Sequence, residues 1–238
     1  MSGPARPAYH LYRWLWGSLD LLYPPTCGGC DRRGAHWCNE CWGQIKKIKP
    51  PICVICGQPW ESPGLCQRCS YNRPNFLALR SWALYEGPVR QAILHLKYKR
   101  NISLGLVLAQ PLIELFFDLG WRVDLMIPVP LGIARLRERG YNQATLFTRP
   151  LALRTGLPCE VKGLFRIRET QTQVGLSYDQ RKENVKNAFQ AHKDLVFNRR
   201  ILVVDDVSTS NATLDSCGAA LYDAGAERVY GLTLARAC

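Results

Sequence analysis

No stretch of this 238-residue chain approaches the ~18 consecutive apolar residues that a membrane-spanning helix requires. Histidine is scarce too. His10, His36, His95 and His192 are the only four, and their spacing makes neither a metal set nor a triad. The sequence has no GxxxxGK[ST] and no GxGxxG, which speaks against a P-loop motor and a Rossmann dehydrogenase. Repeats and low-complexity tracts are absent. Tyr9 to Tyr23 is aromatic-rich, is broken by Arg13 and Asp20, and is followed by no small-residue cleavage site, so export is not expected. Acids are outnumbered, 19 against 31 Lys and Arg, for a formal charge of +12. Such a balance fits an anionic partner: nucleic acid, nucleotide or acidic lipid. A hydrophobic fraction of 47% is enough for a real core, and the length suits one large or two modest domains.

Cysteine is abundant, with eleven in all. Eight of them form four CxxC knuckles: Cys27 and Cys30, Cys38 and Cys41, Cys53 and Cys56, Cys66 and Cys69. A knuckle brings two sulfurs to one metal from a tight turn, and eight thiolates suffice for two tetrahedral four-cysteine zinc sites. Pairing neighbouring knuckles closes the shortest loops and costs least entropy. That predicts Cys27, Cys30, Cys38 and Cys41 on one ion and Cys53, Cys56, Cys66 and Cys69 on the other, with crossed pairing as the alternative. His36 could replace one cysteine of the first site. Closed four-cysteine sites are structural, and two such ions lower the formal charge to about +8. Disulfides fit poorly without a secretory signal. Of the remaining Cys159, Cys217 and Cys238, Cys217 reads as a small buried hydrophobe.

Chemistry concentrates in a second stretch, Ile201 to Leu214. Ile201 to Val204 reads as a strand buried on both faces. Asp205 and Asp206 follow at its carboxyl end, where open α/β sheets place their ligand crevice. Val207 to Asn211 is a small polar turn, and Thr213 to Ala224 is helical, with Leu214, Cys217 and Leu221 on one face. Loop amides and a helix N-terminus beside two carboxylates suit a ligand with both phosphate and hydroxyls, such as a ribose phosphate. A buried strand, a capped helix and two solvated acids would give the same pattern.

Elsewhere, Leu11, Trp14, Leu15, Leu19 and Leu22 fall at helical spacing in residues 1–24 and are expected to pack on the protein. Residues 71–75 read as a linker and Leu77 to Tyr85 as a strand. Helices follow from Val89 to about Arg100 and over Leu104 to Leu119. Asp124 to Val129 is a buried strand. A basic helix follows, then Val161 to Ile167 as a strand, Gln171 to Ala188 as a polar loop and helix, and Arg228 to Ala235 as the last strand. Strands alternating with helices predict an α/β fold with a mainly parallel sheet and helices on both faces.

The Asp205-Asp206 stretch resembles the PRPP motif of type I phosphoribosyltransferases. That resemblance implies that Asp205 and Asp206 hold the ribose hydroxyls, and that Thr209, Ser210, Asn211, Ala212 and Thr213 wrap the 5′-phosphate. Asn211 stands where the family usually has glycine. It tolerates the left-handed region, and its side chain is expected to come close to the phosphate. The whole chain is similar to the ComF/GntX family, which joins a double zinc ribbon (here residues 25–70, after an N-terminal helix within 1–24) to a phosphoribosyltransferase-like domain (76–238). Besides the knuckles and the acid pair, the matching stretches are Leu96 to Tyr98; Pro128 to Pro130 with Arg135 to Gln143; Thr172 to Ser177; and Arg181 to Phe189.

This resemblance implies work in DNA uptake and natural transformation, in the cytoplasm or at the inner face of the cytoplasmic membrane. Its partners would be single-stranded DNA, PRPP and a helicase-like translocation ATPase. A PRPP transferase must neutralise pyrophosphate with Mg²⁺ and cations. Candidates are Lys97, Arg135, Arg137, Arg139, Arg166, Arg168, Arg181 and Lys182, with Lys97 and Arg139 first. Arg135 and Arg137 also suit DNA phosphates, and Tyr98 and Tyr141 suit base stacking. Two readings stay open: a DNA-binding accessory protein built on a transferase fold, and an active phosphoribosyltransferase with an unknown acceptor.

Overall fold

The structure is a computed structural model that describes residues 7–20, 24–168 and 178–237. The elements run α1 (Pro7–Leu19), α2 (Asn39–Gly43), α3 (Gln67–Tyr71), β1 (Ala78–Leu84), α4 (Gly87–Tyr98), α5 (Leu104–Leu119), β2 (Leu125–Pro128), α6 (Ile133–Arg139) and α7 (Gln143–Thr155). Then come β3 (Leu164–Arg166), α8 (Tyr178–Val185), β4 (Phe189–Ala191), α9 (Lys193–Val196), β5 (Arg200–Ser208), α10 (Ala212–Asp223) and β6 (Arg228–Arg236). Four strands form a parallel sheet in the order β1-β6-β5-β2, and β3 and β4 form a separate antiparallel pair. No helix among the described residues is long and apolar enough to cross a membrane.

Alternation along β5 shows how the sequence makes two cores. Leu202 and Val204 point into a layer shared with α4, α5 and α7. Ile201 and Val203 point into the other, shared with α10, β3 and β4. All four side chains are essentially inaccessible, and each contributes about 2 kcal/mol of hydrophobic stabilisation. This is the expected parallel sheet with helices on both faces.

Three features differ from the sequence reading. First, β5 does not end at Val204. It runs on through the acids to Ser208, because β6 pairs alongside as far as Ser208 with Arg236. On the other side β2 stops at Pro128, opposite Val204, and Pro130 has no N–H to continue the ladder. One flank of the acid pair is therefore left open.

Second, the cysteine-rich segment is not simply appended. Lys47 bridges Ala83 in antiparallel fashion, the Ile48 N–H donates to Trp82 O (3.1 Å), and the Leu84 N–H to Lys46 O (2.9 Å). Residues 46–48 thereby cover the outer edge of β1, which would otherwise be an unpaired edge strand.

Third, α1 buries its aromatic side rather than its leucine stripe. Tyr9 is 4% exposed and its hydroxyl donates to Gln110 (3.3 Å), while Leu11, Trp14 and Leu15 are 58%, 69% and 51% exposed. Leu22, the Thr172 to Ser177 stretch and the side chains of Arg181 and Lys182 lie outside the described residues.

Candidate functional site

The open flank of β5 is the floor of a cleft of about 570 Å³, a volume in the range of small-molecule sites. Lys97, at the end of α4, reaches across it, and its Nζ lies 2.6 Å from Asp206 Oδ2. Burial disfavours the charged form of Lys97, but the charge of Asp206, with that of Asp205, outweighs it and raises the pKa above the ordinary lysine range. Asp205 keeps some surface towards the cleft while its carboxyl is enclosed by protein. Burial first and the Asp206 charge second push its pKa up to about 7, against the opposing effects of the Asp206 amide, Lys97 and Arg166. The Asp206 N–H donates to Asp205 Oδ1 (2.8 Å). One acid is thus charge-paired, and the carboxyl of the other is held above the ordinary carboxylate range.

From β5 the chain turns through Thr209, Ser210 and Asn211 into α10. Asn211 sits at φ 67°, in the left-handed region expected for it, and is the N-cap of α10. Its side-chain oxygen is engaged within the protein, where Oδ1 accepts from Ser208 Oγ (2.5 Å) and Arg236 Nη1 (3.1 Å). Thr209, Asn211, Ala212 and Thr213 line the cleft, whereas Ser210 faces the crevice towards α3.

Arg135 and Arg139 share the face of α6 that lines the cleft; Arg137 is exposed and outside it. Arg139 lies over the Tyr98 ring at 5.5 Å and donates to Gln143 Oε1 (3.0 Å). Tyr141 is half-buried, with its hydroxyl donated to Leu96 O, so it ties the α6–α7 turn to α4. Tyr98, 67% exposed, offers the more open ring. Arg166 enters the cleft from β3, stacked over Phe189 at 4.8 Å. Arg168 lies outside the cleft lining and donates to Asn184 O and Lys186 O.

Three residues near this site escaped the sequence reading. Tyr85 and Gln143 line the cleft, and Arg236 lies beneath the loop, 2% exposed at the end of β6. The available signal for Arg236 was a charge at an inward position in an otherwise apolar strand.

The knuckles pair sequentially. The ligand atoms of Cys27, Cys30, Cys38 and Cys41 lie within 4.8 Å of one another, as do those of Cys53, Cys56, Cys66 and Cys69. Backbone N–H groups point at the sulfurs, with Cys38 N–H donating to Cys27 Sγ (3.3 Å) and Cys66 N–H to Cys53 Sγ (3.4 Å). Cys56 is held down to about 5, first by the Cys69 side chain and, against burial, by the Gln58 amide and the Arg236 charge. Both clusters fit structural zinc. His36 is not a ligand, because its ring nitrogens face Asp20 (2.9 Å) and Ser103 (3.2 Å). Cys217 is buried, with a thiol pushed well up by burial.

Residues 18–70 match the double zinc ribbon domain. Competence protein F of Haemophilus influenzae is 32% identical over 230 residues, covering 93% of this chain and 94% of that protein. The chain belongs to the competence protein F (ComF/GntX) family. A further relative is the DNA utilization protein YhgH of Salmonella typhimurium, 33% identical over 76% of this chain and 82% of that protein. Among solved structures, a Bacillus subtilis glutamine PRPP amidotransferase complexed with ADP and GMP is similar at 23% identity and TM-score 0.36. The match covers 55% of this chain, which spans about a quarter (25%) of the amidotransferase chain. Adenine phosphoribosyltransferase from Thermoanaerobacter pseudethanolicus is similar at 17% identity and TM-score 0.33, over 52% of this chain and 77% of that one.

Proposed function

We propose that this family member acts in the uptake or use of DNA, and that its cleft binds a ribose phosphate. The observation that carries the binding reading is the acid pair on the open flank of β5, directly before a loop that starts a 12-residue helix. The two chemistries occupy different parts of the surface. Asp205 and Asp206 repel DNA phosphates, and internal deoxyribose lacks the cis-diol that a carboxylate pair would hold. The ribose phosphate therefore takes the floor, with the phosphate at Thr209 to Thr213. Single-stranded DNA takes the basic rim at Arg135, Arg137 and Tyr98. The names of the relatives, competence protein F and DNA utilization protein, support that partner.

Anisotropy with a labelled oligonucleotide tests the rim. Each phosphate contact contributes about 0.7 to the slope of log affinity against log salt. Arg135→Ala with Arg137→Ala should reduce that slope by about 1.4 if both contact phosphate. An unchanged slope, or no affinity at low salt, removes DNA from the rim.

A second reading, phosphoribosyl transfer, draws on Lys97, Arg139 and Arg166 around the same cleft. There they would neutralise a pyrophosphate leaving group that arrives with Mg²⁺. Consumption of PRPP with pyrophosphate release on offering candidate acceptors is its test.

Asp205 gives the cleft a pH signature. Its pKa is raised to about 7, so below neutrality it carries a proton that must leave before the carboxylate can accept from a ribose hydroxyl. Affinity should weaken as the pH falls through about 7, by at most about tenfold per unit, and level off above it. Asp205→Asn should flatten the profile; a flat wild-type profile would remove Asp205 from the contact.

A further inference from the structure

Arg236 is a buried cation that pairs with no carboxylate among the described residues, yet its side chain is almost wholly inaccessible. Its nearest acceptors belong to two places distant in sequence. Nη1 donates to Cys56 O (2.8 Å) and Asn211 Oδ1 (3.1 Å), and Nη2 to Gln58 Oε1 (3.3 Å) and Cys56 Sγ (3.9 Å). Burying an uncompensated guanidinium is costly. The compensating charge is the second cysteine cluster itself, since four thiolates on one divalent ion leave two negative charges in excess. A second tie runs in parallel. Asp215 of α10 accepts from the backbone N–H and side chain of Asn75 (2.6 and 2.8 Å), just after the fourth knuckle. The first cluster lies elsewhere: its knuckle turn packs on Leu104 and Pro88 at the starts of α5 and α4.

We infer that Arg236 is a positioning residue that couples the Ser208 to Thr213 loop to metal occupancy of the second cysteine site. The loop keeps its conformation when Cys53, Cys56, Cys66 and Cys69 hold zinc, because the zinc–thiolate charge holds Arg236 and Arg236 holds Asn211. The asparagine in place of glycine is then the loop's half of this strut. The inference rests on the proposed reading of the loop as a phosphate cradle, but its structural part is measurable without any ligand.

The test uses the full chain with both sites loaded. Hydrogen exchange at the 208–213 amides is compared in wild type, Arg236→Gln, Asn211→Gly, Cys69→Ser and, as control, Cys38→Ser. Metal content is measured in parallel, and each folded variant is titrated with ribose 5-phosphate. Losing a hydrogen bond to a charged group should speed loop exchange by about tenfold or more in Arg236→Gln and Cys69→Ser, and not in Cys38→Ser. Asn211→Gly should do the same with both zinc ions retained, although glycine suits the backbone angle; it keeps the test decisive if Arg236→Gln fails to fold. Ribose 5-phosphate affinity should fall in step.

Wild-type exchange rates in both Asn211→Gly and Cys69→Ser would overturn the inference. Altered exchange in a protein that never binds ribose 5-phosphate would uphold the coupling and sink the phosphate reading. Binding that ignores Arg236→Gln and Asn211→Gly, with unaltered exchange, would do the reverse.

Discussion

Asp206→Asn should weaken ribose-phosphate binding by about tenfold or more and also lower the melting temperature of the ligand-free protein. The first effect follows from removing a charge-assisted acceptor at the cleft floor, a loss of about tenfold to a hundredfold in affinity per bond to a charged group. The second follows from Lys97, whose ammonium lies 2.6 Å from Asp206 with its side chain only 20% exposed. Breaking one side of such a pair costs about 3–5 kcal/mol, which in a chain of this size is a fall on the order of 10 °C. Asp205 offsets part of this, because its pKa drops once the repulsion from Asp206 is gone. Lys97→Met should destabilise for the mirror reason, leaving two acids buried together. The Lys97→Met, Asp206→Asn double variant should recover part of the sum of the single losses. Additive melting shifts in that cycle would mean that the pair is not coupled in solution.

Stripping zinc should have a larger effect, and it should reach the sheet. Structural zinc sites contribute about 10–16 kcal/mol of apparent binding free energy at neutral pH, as much as the whole stability of a typical domain. A ribbon read from sequence as a module of its own would melt alone. In the structure Cys53 is fully buried, the Leu79 N–H donates to Ile55 O (2.7 Å), and Arg80 donates to Val54 O (3.0 Å). Residues 46–48 also pair with β1. Metal analysis should give two zinc ions per chain, and Cys53→Ser should lower the melting of the sheet together with that of the ribbon. One ion or none, or a sheet that melts unchanged in Cys53→Ser, would contradict this account.

What was legible in the sequence is what local rules dictate. The CxxC spacing gave the ligand sets because short loops close first. α5 spans Leu104 to Leu119 as its sequence predicts, because an apolar-rich segment broken only by Gln110, Glu114 and Asp118 meets a left-handed Gly120 C-cap. The acid pair after an apolar strand marks the cleft, because both acids lie at the carboxyl end of a sheet strand.

The misses all depend on partners far along the chain. β5 runs on to Ser208 because of β6. Leu11, Trp14 and Leu15 are exposed because Tyr9 on the other side of α1 finds Gln110, 101 residues away. Asn211 turns to Arg236, 25 residues away, and Arg236 to Cys56, 180 away. No window of sequence contains those pairs.

On the proposed reading, the acid pair and the loop recognise a sugar hydroxyl pair and a phosphate together. Calorimetric titration of the zinc-loaded full chain at pH 8 with ribose 5-phosphate, 2-deoxyribose 5-phosphate and inorganic phosphate tests this most directly. The expected result is one site per chain, tightest for ribose 5-phosphate, weaker for the deoxy sugar and weakest for phosphate alone. Equal affinity for all three, or no heat with any of them, would contradict it.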